Sequence, residues 1–331
     1  MPKALFGEWG AGRKGGSAVG SDLIIDAHVH TYPTAAIGEQ AMQGTGRSGC
    51  SGTGEELLSV MARGEISYAV MANLTPTYDM KMAALKNLPA SITAEERKKA
   101  EKEIKEKMID RMKRRNLWTC TIAKENPALL PLISVDVLQT PSDMKAEIED
   151  KAKGHGAKGL KLHPVANRFF PYDRSLWPAY SKAMEMGLPI LFHSGQAELA
   201  GYTEADYGRP GNFGQVLQKF PKLTVILAHL GKGFLGESVE IAQRYANVYF
   251  DTSAILSGTE IEGRFSSDAE AVELIRTIGV HRVLFGSDWP WFDPLLAIEQ
   301  IKSLDLTEAE KRRIFGQNAE EIFGLKSLGH R

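Results

Sequence analysis

Eight apolar runs of strand length recur along this chain, at 23–30, 66–74, 129–136, 159–163, 189–193, 223–229, 248–251 and 282–288. Several are continuously apolar, the pattern of a parallel sheet covered on both faces. The segments between them have helical spacing. Residues 55–63 place Leu57, Leu58 and Met61 on one face, and 142–153, 175–186, 212–220, 237–245 and 267–278 behave the same way. Each parallel pair needs a crossover, so strands alternating with helices eight times predict a (β/α)8 TIM barrel. A doubly wound open sheet is the alternative. That fold usually carries a glycine-rich phosphate loop after its first strand, and here the first strand ends in His28-Val29-His30.

The barrel accounts for residues 23–325 of 331, leaving a glycine-rich N-terminal extension at 1–22 and a short tail at 326–331. Residues 31–54 form a long connection after the first strand, where a barrel places either a lid or a solvated loop. Residues 93–116 are charge-dense with a narrow apolar stripe (Ala100, Ile104, Met108, Met112). They predict an exposed helix after strand two, or a surface for a partner subunit. Residues 307–325 predict closing helices packed through Ile314, Phe315, Ala319, Ile322 and Phe323.

Lys+Arg 40 against Asp+Glu 41 leaves a net charge of -1, which provides no overall electrostatic footprint for nucleic acid. No apolar stretch reaches membrane-spanning length, and the first 22 residues lack a signal-peptide core. Cys50 and Cys120, far apart, make neither a disulfide framework nor a cysteine zinc site, which fits a reducing cytoplasm.

The barrel sorts the eight histidines. His28, His30, His163, His193 and His229 fall at the C-terminal ends of strands one, four, five and six, and Asp251 and Asp288 end strands seven and eight. That rim is where such barrels carry chemistry. His155, His281 and His330 lie elsewhere and read as structural or solvated. On a strand, His28 and His30 point to the same side and can reach one cation. Imidazole and carboxylate suit Zn²⁺, Mn²⁺ or Fe²⁺. A catalytic zinc keeps about three protein ligands and an open position, so some of these seven must act as acid, base or support.

Six motifs in barrel order resemble the amidohydrolase superfamily. They are Asp26-Ala27-His28-Val29-His30, Gly159-Leu160-Lys161-Leu162-His163-Pro164, Leu191-Phe192-His193-Ser194-Gly195, Ala228-His229-Leu230-Gly231, Phe250-Asp251-Thr252-Ser253 and Phe285-Gly286-Ser287-Asp288-Trp289-Pro290. The resemblance is to its second amidohydrolase-related family, which includes aminocarboxymuconate-semialdehyde decarboxylase. It implies one divalent ion, zinc first with manganese or iron as alternatives, held by His28, His30, His193 and Asp288. It implies that Asp288 moves a proton and that His229 acts as acid/base toward a developing oxyanion. His163 is not a ligand in the family's mononuclear sites and becomes a substrate contact. Lys161 shares its strand face, and a carboxylated lysine at that strand bridges two ions in binuclear relatives. Asp251 either accepts from His229 or caps a loop.

Arg168, Arg209 and Arg264 lie in rim loops and could each hold a substrate carboxylate. Tyr32, Tyr172, Trp289, Trp291 and Phe292 are candidates to line the pocket. The leading expectation is a metal-dependent hydrolase of a small amide, lactone or ester. The alternative is a non-oxidative decarboxylase of an aromatic or unsaturated acid. Decarboxylase relatives tend to carry Gly-Glu after the strand-six histidine, and Leu230-Gly231-Lys232 here leans toward the hydrolase. A catalytically silent binding barrel is the third possibility, and the family's habit of pairing implies a homodimer.

Overall fold

In the computed structural model, eight parallel strands follow one another around a barrel in chain order. The structure describes residues 23–43, 49–196, 205–259, 265 and 267–325. The order is β1 (Ile24–Val29), α1 (Ala35–Ala41), α2 (Gly54–Arg63), β2 (Ile66–Met71), α3 (Thr77–Lys86), α4 (Ala94–Glu125), β3 (Leu129–Ile133), α5 (Pro141–His155), β4 (Gly159–Leu162), α6 (Pro164–Asn167) and α7 (Trp177–Glu185). There follow β5 (Ile190–Phe192), α8 (Gly214–Lys219), β6 (Val225–Leu227), α9 (Leu235–Arg244), β7 (Val248–Asp251), α10 (Asp268–Ile278), β8 (Val283–Leu284), α11 (Pro294–Ser303), α12 (Glu308–Arg312) and α13 (Asn318–Phe323). All eight expected strands are present. The extension at 1–22, residues 44–48 of the expected lid, Arg264 and the tail lie outside the described residues.

Two buried apolar layers follow from the strands' period of two. Phe192 packs edge-on against Tyr180 and Phe213, so it faces the helices. Its neighbour Leu191 belongs to a second cluster with Ile25, Val70, Leu130, Ile226 and Leu284, which fills the barrel's interior. Ala319 and Phe323 of α13 join that cluster, so the closing helices pack as the sequence indicates.

Sheet closure positions the site. The amide of Ala27 donates to Phe285 O (2.8 Å), Asp288 N donates to His28 O (2.9 Å) and His30 N donates to Trp289 O (2.6 Å). The end of β1 is therefore hydrogen-bonded to the stretch after β8, which brings Asp288 to the two β1 histidines. The strands are shorter than the apolar runs. His30, His163, His193, His229 and Asp288 all lie just past the last paired residue, where the chain turns out of the sheet.

The charged helix is longer than expected, running to Glu125. Its buried stripe continues past Met112 through Asn116, Thr119, Cys120 and Ala123, at spacings of three and four. Four helices, α1, α3, α6 and α11, have no counterpart among the helices expected from the sequence. Of α3, Thr77 alone is buried, so no apolar stripe announces it. α11 is started by the Asp293 cap and Pro294. Neither Cys50 nor Cys120 is in a disulfide. Among the described residues no helix is long and apolar enough to cross a membrane.

Candidate metal centre and active site

At the C-terminal mouth, His28, His30 and Asp288 each offer a ligand atom, all within 4.8 Å of one another. Asp288 Oδ1 lies 3.2 Å from His30 Nε2 and 3.6 Å from His28 Nε2. Asp288 itself sits at φ 65° and His229 at φ 61°. Left-handed backbone costs a residue with a Cβ roughly 1 kcal/mol or more. Two chemistry-bearing residues thus hold conformations that local preference disfavours, and the surrounding hydrogen bonds impose them.

The hydrogen-bond network fixes which nitrogen each imidazole presents. His229 Nδ1 lies 3.0 Å from the Ser253 carbonyl and 2.8 Å from Ser253 Oγ. A carbonyl only accepts, so Nδ1 carries the hydrogen. Burial pushes the His229 imidazole down, keeping it neutral, so its Nε2 is a lone pair. That lone pair accepts from His193 Nδ1 at 3.1 Å. His193 Nε2 is then also a lone pair, and it is buried with no hydrogen-bond partner among the described residues. His28 follows the same rule. Its Nδ1 donates to Asp251 Oδ2 at 2.9 Å with Ser253 Oγ at 2.9 Å, leaving Nε2 toward the site. His28, His229 and Asp251 also cluster closely. Their facing Nδ1 atoms are occupied by these hydrogens, so this second group supports the first and is not another cation pocket.

Charge follows burial. It pushes His30 down to about 3 and His163 and His193 well below the usual imidazole range, so all three are neutral at pH 7. Burial pushes the Asp288 and Asp251 carboxyls up, but hydrogen bonds from the surrounding side chains, and the charge the histidines take up at acid pH, outweigh it and hold both below the usual range. Lys161 is lowered to about 8 by burial, against the pull of Asp251 and Asp288. Its Nζ lies 3.0 Å from His28 Nε2. The imidazoles of His28 and His30 with the ionised Asp288 carboxylate fit a divalent cation, while His193, whose Nε2 is an unpartnered lone pair, is outside that close group of ligand atoms.

The other expected site residues divide. His163 Nδ1 accepts from Ala166 N (3.1 Å), so its Nε2 bears the hydrogen, and its ring stacks on His193 with centroids 3.9 Å apart. Arg168 lies over the Tyr78 ring at 5.2 Å. Arg209 pairs with Glu237 and is 44% exposed, so its guanidinium is engaged on the surface. Trp289 is wholly buried in the core. The tryptophan that meets the site is Trp291, its ring edge-on to His30 at 4.8 Å and to Tyr32 at 6.4 Å. His155 faces Asp150 (3.8 Å) and His281 accepts from Arg282, both away from the mouth. Sequence reasoning assigned Ser253 no role of its own beyond its place in the Phe250-Asp251-Thr252-Ser253 motif. Its spacing of two from Asp251 was the available signal, since it puts the hydroxyl against the same carboxylate, which it bonds.

A family model described as amidohydrolase matches residues 25–325. The chain is 24% identical over 237 residues to gamma-resorcylate decarboxylase of Polaromonas sp. (strain JS666), covering 57% of this chain and 68% of that one. It is 27% identical over 199 residues to 2-amino-3-carboxymuconate-6-semialdehyde decarboxylase of Dictyostelium discoideum, covering 51% of this chain and 54% of the relative, so the match spans about half of that protein. Among solved structures, 5-carboxyvanillate decarboxylase of Novosphingobium aromaticivorans, complexed with manganese and 4-hydroxy-3-methoxy-5-nitrobenzoic acid, superposes with a TM-score of 0.63 at 16% identity, over 92% of this chain and 96% of that one. The relatives are decarboxylases, so they favour the second of the two expected reactions over the hydrolase. On the extent of the family match and the barrel it describes, this chain belongs to the amidohydrolase family.

Proposed function

We propose that this protein is a metal-dependent, non-oxidative decarboxylase of a small aromatic or unsaturated carboxylic acid. The observation that carries the reading is the site's charge. Its imidazoles with resolved shifts are neutral, Asp251 and Asp288 are anionic and Lys161 is cationic. One divalent cation turns that balance from net negative to net positive, which suits an anionic substrate. The decarboxylase relatives support the same reaction.

His28, His30, His193 and Asp288 would hold the ion. Manganese accompanies the structural neighbour, and three imidazoles with a carboxylate suit zinc equally. When bound, the ion supplies positive charge for a substrate oxygen and for the electrons released at the reacting carbon. Asp288, ionised at rest, would take a proton from water in the mouth and relay it to the reacting carbon. It is the most exposed of the His28–His30–Asp288 group at 15%, so it can exchange hydrogen with a ligand in the mouth. As the C–C bond breaks, its electron pair stays on the ring carbon, carbon dioxide leaves and a proton takes the vacated position. His163 offers its Nε2–H to the substrate. His229 enters through its hydrogen bond to His193, which orients that ring.

The test is incubation of metal-reconstituted protein with a hydroxybenzoate panel in D₂O, read by mass spectrometry. Deuterium at the vacated carbon together with carbon dioxide release is expected. Turnover of esters or lactones with no loss of carbon dioxide from any acid would instead establish the hydrolase.

A further inference from the structure

Lys161 lies inside the barrel, 1% exposed, on the same face of β4 as His163. Among the described residues, the one hydrogen-bond acceptor of its amine is His28 Nε2, at 3.0 Å. On the reading above, a cation takes that lone pair, and the amine loses its partner. Of the two acids whose charge reaches it, Asp251 has both oxygens engaged and Asp288 has Oδ1 engaged. Asp251 Oδ2 accepts from His28 Nδ1, and its Oδ1 accepts from the amides of His229 and Ser253 and from the Ser253 hydroxyl. Asp288 Oδ1 faces His30. Lys161 is 1% exposed, and a buried cationic donor with no acceptor is costly.

We propose that Lys161 is a substrate-binding residue, donating to an anionic oxygen of the bound acid from the barrel side. This inference rests on the metal-dependent reading of the site. With His163 two residues along the same strand face, β4 then presents two N–H donors in a row. The ligand that satisfies both is a carboxylate, or a carboxylate with an adjacent ring oxygen. The rim arginines are not required for this contact.

The experiment uses metal-loaded wild type and Lys161→Met, with metal counted per chain and hydroxybenzoate binding measured by calorimetry. 2-Hydroxybenzoate, 2,6-dihydroxybenzoate and 4-hydroxy-3-methoxybenzoate are the probes, and the tightest binder is carried to the variant. The expected result is unchanged metal content and at least a tenfold weaker Kd. Unchanged affinity with full metal overturns the proposal. Loss of metal in the variant also overturns it, because Lys161 would then belong to the cation site. Wild type that takes up no metal, or binds no probe, refutes the underlying reading and this proposal with it. Should the variant not fold, a crystal structure of metal-loaded wild type with the probe decides. Nζ within about 3.2 Å of a probe oxygen supports the assignment, and Nζ still turned to His28 overturns it.

Discussion

His229 Nε2 lies 3.1 Å from His193 Nδ1, and that contact leaves His193 Nε2 as a buried lone pair with no hydrogen-bond partner among the described residues. Ser253 starts the chain of donors by accepting from His229 Nδ1. Losing the contact should loosen His193 without unfolding the barrel. His229→Asn suits the test because asparagine tolerates the left-handed backbone there but is too short to reach His193. Metal affinity, measured by competition with a chelating dye, should fall about 10–100-fold. An unchanged metal Kd would remove His229 from this positioning role.

Asp288→Asn separates charge from backbone in the same way, since asparagine also accepts φ 65°. The melting temperature of the metal-free protein should move by only a few degrees. Turnover of the accepted acid should drop about 10²–10⁴-fold, the range for a lost proton-transfer group. A variant with near-wild-type kcat would show that the proton travels by another route.

The buried imidazoles make the metal-free protein acid-sensitive. His30 is held near pKa 3, and His163, His193 and His229 are also lowered, each chiefly by burial. Below about pH 6.5 the unfolded chain binds protons that the folded one refuses, so stability rises with pH in that window and is lost on acidification. Each such imidazole contributes at most about 1.4 kcal/mol per pH unit. Urea unfolding between pH 7 and 5 should show this slope, with net proton uptake on unfolding. A flat profile would mean the cluster is charged in the folded state.

Asp26 has the opposite sign. Burial pushes its carboxyl up to about 7, and Oδ2 has no hydrogen-bond partner, while Oδ1 accepts from His28 N and Ser287 N. Folding therefore favours the protonated acid, whose contribution is fully present below the unfolded value near 4 and is lost as pH rises to about 7. Asp26→Asn keeps the Oδ1 acceptor and removes the titration. Its stability relative to wild type should improve from pH 4 to 7 by about 1.4 kcal/mol per unit at most. A constant gap across that range would place the carboxylate in its ordinary range.

Periodicity and position along the strands were legible in the sequence. A strand buried on both faces has to be apolar throughout, so the eight runs declared the barrel, and the residues ending them declared the rim. His28, His30 and Asp288 could be grouped because closure of a barrel brings its first and last strands together. Sequence spacing says which side of a strand a residue occupies, but not which atom it presents. Tertiary structure decided that His28 and His193 keep Nε2 as the lone pair, because Asp251, Ser253 and His229 come from other strands to occupy Nδ1. It decided that Trp291 meets His30 while Trp289 is shut in the core, and that Arg209 is engaged by Glu237. It also set Lys161 against His28, 133 residues away. Such pairings depend on where separate chain segments meet in space, and local sequence carries no record of that.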